Sequence, residues 1–115
     1  MIRLFLLLLL LIQPALRAEE PALASVKIYG QVEAPGAYEI KKDELNLFSL
    51  IIKAGGPTQA ARWGQGVQLL RTKDGKIEKK YYKIDVFKLM KEGKESDLNL
   101  QIHDGDGVFI MERVL

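Results

Sequence analysis

Period-two alternation at the front of the chain is the strongest constraint on its fold. Val26, Ile28, Gly30 and Val32 fall on one phase and Lys27, Tyr29 and Gln31 on the other. That is the pattern of a strand with one buried and one wet face, here over residues 25–32. Pro35-Gly36 follows, with proline suited to the first central position of a turn and glycine supplying φ > 0 at the second. Ala37-Tyr38-Glu39-Ile40 then returns as a second strand, so residues 26–40 read as a hairpin. After a solvated patch, Lys41-Lys42-Asp43-Glu44, a helix starts at Asn46, a good N-cap residue. Leu47, Leu50, Ile51 and Ala54 lie at i, i+3, i+4 and i+7, one apolar stripe for packing on a sheet. Gly55-Gly56-Pro57 stops the helix, the glycines by a left-handed cap and the proline because the helix cannot resume.

The second half repeats the logic with different parts. Residues 58–65 read as a loop. Residues 66–72 and 76–84 form another hairpin, joined where Asp74-Gly75 gives a strong turn signal. Asp85 caps a short helix carrying Val86, Phe87, Leu89 and Met90, and Gly93 ends it. Leu98, Leu100 and Ile102 alternate through an extended stretch. His103-Asp104-Gly105-Asp106-Gly107 turns the chain into a last strand at residues 108–114. The order ββ-α-ββ-(α)-β predicts an α+β fold of the β-grasp type (a ubiquitin-like roll), a small mixed sheet packed on one main helix.

At 115 residues the chain has room for one such domain, and its N-terminus reads as something else. Met1-Ile2-Arg3 gives a positive start, Leu4 to Ile12 is unbroken and apolar, and Gln13-Pro14 breaks the run before small residues appear. This is the order of a cleavable secretory signal, and the run is about half of the roughly 17–25 residues a membrane-spanning helix needs. Cleavage after Ala18 leaves a short leader at residues 19–24 and a domain at 25–115; cleavage after Ala24 would start the mature chain at the edge of the first strand. Without residues 1–18, which hold Arg3 and Arg17, the 17 Lys plus Arg fall to 15, against 15 Asp plus Glu. The sum is zero, so bulk charge does not favour nucleic acid. The absence of cysteine excludes disulfides, thiolate metal sites and a lipidated cysteine. The expected location is the periplasm or outside the cell, with no membrane span in the mature chain.

Several of these features recur in a familiar order. Val26-x-Ile28-x-Gly30-x-Val32 precedes Pro35-Gly36-x-Tyr38, then Ala54-Gly55-Gly56, Ala61 and Val67-x-Leu69-x-Arg71. Ile84-Asp85, Gly93, Asp97-x-Asn99-Leu100 and Gly105-Asp106-x-Val108-x-Ile110 complete the series. The set resembles the soluble-ligand-binding β-grasp (SLBB) domain, particularly as it occurs in polysaccharide biosynthesis and export proteins of bacterial envelopes. The resemblance implies a structural motif at Gly30, Pro35, Gly36, Gly55, Gly56, Gly105 and Asp106. As partners it implies a polysaccharide, an outer-membrane export protein, or both, and it leaves self-association open. Family exporters usually add an export domain, a lipidated cysteine and a membrane-spanning helix. None is evident here, so the expectation is an accessory module rather than a pore, with an envelope protein–protein adaptor that has no glycan role and binds through a free sheet edge as the alternative. Competence DNA-uptake proteins carry a similar module beside helix-hairpin-helix repeats, which this sequence lacks, and no nucleic-acid partner is expected.

Catalytic chemistry is not legible. His103 is the single histidine and has no partner set. Asp104-Gly105-Asp106 suggests a cation loop but falls short of the 6–8 oxygens, roughly, that calcium takes; a turn in which Asp accepts backbone N–H bonds is the simpler reading. Asp43, Glu44, Glu92, Glu95 and Asp97 lie in charged stretches with no apolar pocket. No catalytic residue, metal or cofactor is expected. Binding residues are better represented. Trp63 and Arg62 follow the helix, where an indole stacks on a sugar or anchors an interface, or else folds back as a lid over the helix end. In Lys79-Lys80-Tyr81-Tyr82-Lys83, alternation sends Tyr82 to the core and Tyr81 to the wet face, making Tyr81 a third candidate. Tyr29 and Tyr38 are placed side by side across the first hairpin, as packing or as a small aromatic platform.

Overall fold

In the computed structural model, which describes residues 22–63 and 66–112, the strands are β1 (Leu23–Gly30), β2 (Gly36–Lys41), β3 (Gly66–Lys73), β4 (Lys76–Lys83) and β5 (Gly107–Ile110). Two seven-residue helices, α1 (Leu47–Lys53) and α2 (Val86–Glu92), lie between them. The sheet runs β2-β1-β5-β3-β4. β1 and β5 are parallel, Ile28 opposite Val108, and every other pairing is antiparallel. The two hairpins are thus joined through the last strand, which is the β-grasp arrangement.

The helix stripe behaves as its spacing requires. Leu47, Leu50, Ile51 and Ala54 are all at 0 % exposure, against Val26, Ile28, Val108 and Ile110 of the central strands in one core. Burying each of the larger side chains contributes about 1.5–3 kcal/mol. Two asparagines hold the start of α1. The Ser49 N–H donates to Asn46 Oδ1 at 2.8 Å and the Phe48 N–H to Asn99 Oδ1 at 2.9 Å, so two of the donors a helix leaves unpaired at its start are satisfied. Each of Asn46→Ala and Asn99→Ala is expected to cost about 1 kcal/mol, seen as similar drops in the urea midpoint. An effect from Asn46 alone would show that Asn99 does not cap. Asp85 caps α2 through the Lys88 N–H, and Gly93 ends that helix at φ +84.

Several boundaries differ from the sequence reading. β1 starts at Leu23, with Ala24 buried opposite Ile40, so Leu23 and Ala24 belong to the strand and not to a leader; residues 1–21, with the signal segment, lie outside the described residues. Residues 59–63 form a 3-10 helix inside the expected loop, with Ala61 buried. β5 ends at Ile110. The Pro35-Gly36 turn is a longer excursion over residues 31–35, where Val32 bridges to Pro57. Gly36 does take a positive φ, +152, but as the first residue of β2 opposite Ile28. Tyr29 and Tyr38 do not meet. Tyr38 pairs with Val26 on the inner side, its hydroxyl donating to the Ala34 carbonyl, while Tyr29 is on the outer side.

Candidate functional site

Both helices pack on one side of the sheet, and among the described residues nothing crosses the other. The register fixes what that open side displays. One row runs Tyr29–Phe109–Gln68–Tyr81 across β1, β5, β3 and β4, and the row beside it runs Lys27–Gly107–Leu70–Lys79. Tyr29, Phe109 and Tyr81 are 45 %, 41 % and 59 % exposed, a large amount of aromatic surface to leave in water on one face. At about 4.7–4.9 Å between strands, each row spans about 14 Å.

Glycines shape this surface. Gly107 floors a groove of about 300 Å³ walled by Lys27, Tyr29, Leu70, Thr72 and Ile77. A Cβ on Gly107 would touch Leu70 at 3.5 Å, an ordinary contact, so packing does not demand glycine there; its absent side chain keeps the groove open. Gly66 is different. A Cβ there would come within 2.6 Å of Tyr81 Oη and 3.1 Å of Met111 Sδ, which places the Tyr81 phenol across bare β3 backbone.

On the inner side, Asp106 is the buried carboxylate, 1 % exposed. It faces Arg71 across β5 and β3: Arg71 Nε donates to Oδ1 at 3.1 Å and Nη2 to Oδ2 at 2.8 Å, while the His103 N–H also donates to Oδ2 at 2.8 Å. The hydrogen bond to Asp106 raises the Arg71 guanidinium further above its already high range, against the opposing effect of burial. Asp104 accepts the Ser25 N–H at 2.8 Å. The acidic turn thus ties β5 to β1 and β3, its carboxylates engaged in structure rather than in a cation loop.

The sequence candidates are distributed unevenly. Tyr81 stands on the open face. Arg62 and Trp63 end the 3-10 helix, and their side chains lie outside the described residues. Gly30, Gly55, Gly56 and Gly105 take φ of +87, +88, +95 and +85, while Pro35 sits in the connection before β2. Asp43, Glu44, Glu92, Glu95, Asp97 and His103 are exposed. Phe109, Lys27 and Gly107 were not singled out by sequence reasoning, nor was the Arg71–Asp106 pair. The available signal was an aromatic on the wet phase of each of three strands.

The described residues thus form a β-grasp sheet with one covered face and one open aromatic face. The SLBB domain family model matches residues 24–110, and the chain belongs to that family. No curated protein matches it significantly. Among the described residues no helix is long and apolar enough to cross a membrane.

Proposed function

We propose that this protein is an exported, non-catalytic module that serves envelope polysaccharide export, contacting the glycan, the outer-membrane exporter, or both. The exposed row Tyr29–Phe109–Tyr81 carries the glycan part of this reading. Aromatic rings present flat apolar surface that suits the apolar faces of sugar rings, and their few rotatable bonds limit the entropy lost on binding. The family provides the setting, since SLBB domains are ligand-binding modules of polysaccharide-export and competence proteins. The charged, then apolar, then small-residue order at residues 1–18 supports the periplasmic or secreted part of this reading.

Calorimetric titration with envelope polysaccharide from the producing cell tests this reading. Tyr29→Ala and Phe109→Ala each remove a half-exposed ring, and each is expected to weaken binding about tenfold or more, since truncating an interface aromatic costs upwards of about 1–2 kcal/mol. Gly107→Val is the companion variant. It fills the groove yet suits a strand, so binding should fall while the melting temperature holds or rises. Unchanged affinity in all three would move the binding surface elsewhere, with Trp63, Arg62 or a sheet edge next in order.

A further inference from the structure

The open face is more selective in charge than the chain as a whole. Positions that face outward on β1, β5, β3 and β4 hold Lys27, Lys79 and Lys83 and no carboxylate, although residues 19–115 sum to zero charge. The carboxylate on the outer side of the sheet is Glu39 of β2, opposite Ser25 and on the far side of β1 from the groove. Among the described residues the ion pair is Arg71–Asp106, on the inner side, so these three lysines have no internal partner. Their placement is ordered. Lys27 and Lys79 end one row, with Gly107 and Leu70 between them, and each precedes an aromatic of the next row by two residues, Tyr29 and Tyr81.

Resting on the glycan reading above, we propose that the ligand of this face is an anionic polysaccharide whose sugars carry carboxylate or similar acid groups. Sugar rings lie on the Tyr29–Phe109–Tyr81 row, and acid substituents meet Lys27 and Lys79 at the two ends of the row beside it. Two ammonium groups on rows about 14 Å wide suit a polymer with charges spread along it. Nucleic acid also combines stacking with phosphate contacts, but its affinity depends on summed positive charge along a groove, and this face has three such lysines while residues 19–115 sum to zero. Because the lysines are exposed, the charge contribution weakens with salt.

A matched pair of probes separates this inference from the reading beneath it. Oligomers of galacturonate and of mannuronate are titrated into the protein beside the same oligomers after carboxyl reduction, which keeps the rings and linkages and replaces each carboxylate by a neutral hydroxymethyl group, with amide shifts followed by NMR. The acidic forms are expected to shift the amides of the two outer rows and to bind roughly tenfold tighter at low salt, the size expected for two exposed charge contacts. The double variant K27Q/K79Q should remove that difference with its melting temperature unchanged. Equal affinity for acidic and reduced oligomers would overturn the charge inference and leave the glycan reading standing. Binding of neither form, nor of the producing cell's own envelope polysaccharide, would overturn both. Binding of that polysaccharide alone would overturn the charge inference if it is neutral, and tighter binding of an oligothymidylate than of any of these would overturn both in favour of nucleic acid.

Discussion

Gly30→Ala is expected to be among the most damaging single substitutions in the domain, lowering stability by about 2–5 kcal/mol. Gly30 closes β1 at φ +87, where an L residue is strained by about 1–2 kcal/mol. It also stands against β5 so closely that a Cβ would fall 2.1 Å from the Ile110 carbonyl oxygen and 3.0 Å from its carbon. That oxygen accepts the Gln31 N–H at 2.8 Å, so it cannot withdraw without breaking the end of the central parallel pair. Overpacking against backbone adds about 1–3 kcal/mol. Gly75→Ala separates the two causes. Gly75 has φ +78 but nothing within 4 Å of its would-be Cβ, so strain alone applies. At about 4–8 °C per kcal/mol for a domain of this size, thermal unfolding should put the Gly30 variant at least roughly 10 °C below wild type and the Gly75 variant about half as far. Equal drops would show that the Ile110 contact contributes nothing.

Arg71→Met should cost about 2–4 kcal/mol. It leaves the Asp106 carboxylate, 1 % exposed, with the His103 N–H as its remaining donor. Breaking a buried pair from one side typically costs about 3–5 kcal/mol, reduced here because the Arg71 side chain is 33 % exposed and partly screened. Asp106→Asn keeps neutral hydrogen bonds and should cost less. The double variant R71M/D106L removes both charges, and its loss should fall short of the sum of R71M and D106L by more than about 1 kcal/mol in urea unfolding. Additive losses would mean that the two residues act separately. The raised Arg71 guanidinium has a simple pH consequence. A base whose pKa is higher in the folded state contributes stability that is present below its unfolded pKa and lost as pH rises through the folded one. For Arg71 that window lies above the pH at which guanidinium ordinarily titrates, so its side of the pair is constant at working pH.

The residues that were read correctly are those whose information is local. Leu47, Leu50, Ile51 and Ala54 declare a helix face by spacing alone, and that face is buried. Asn46 and Asp85 cap because a cap needs a side-chain oxygen within three residues. Asp74-Gly75 turns because φ of +53 and +78 there suit those two residue types. Alternation in residues 80–83 correctly put Tyr81 outside, 59 % exposed, and Tyr82 against the core.

The site itself is a product of pairing. Tyr29 lies 80 positions from Phe109 in the chain, yet the two are register partners in the parallel β1–β5 pair, and Gln68 joins Phe109 to Tyr81. Alternation says that each ring faces water, but it does not say which strands are neighbours. For that reason the sequence pairs Tyr29 with Tyr38, the nearer residue, which the hairpin register puts on the opposite side. The Arg71–Asp106 pair has the same origin, since it needs β5 to lie beside β3. The sequence by itself determined the element types, the caps and which phase of each strand is wet, because these follow from contacts within a few residues. Only the tertiary structure decided that three wet aromatics form one row beside a glycine-floored groove, because strand order is set by how two hairpins and a helix bury a common core.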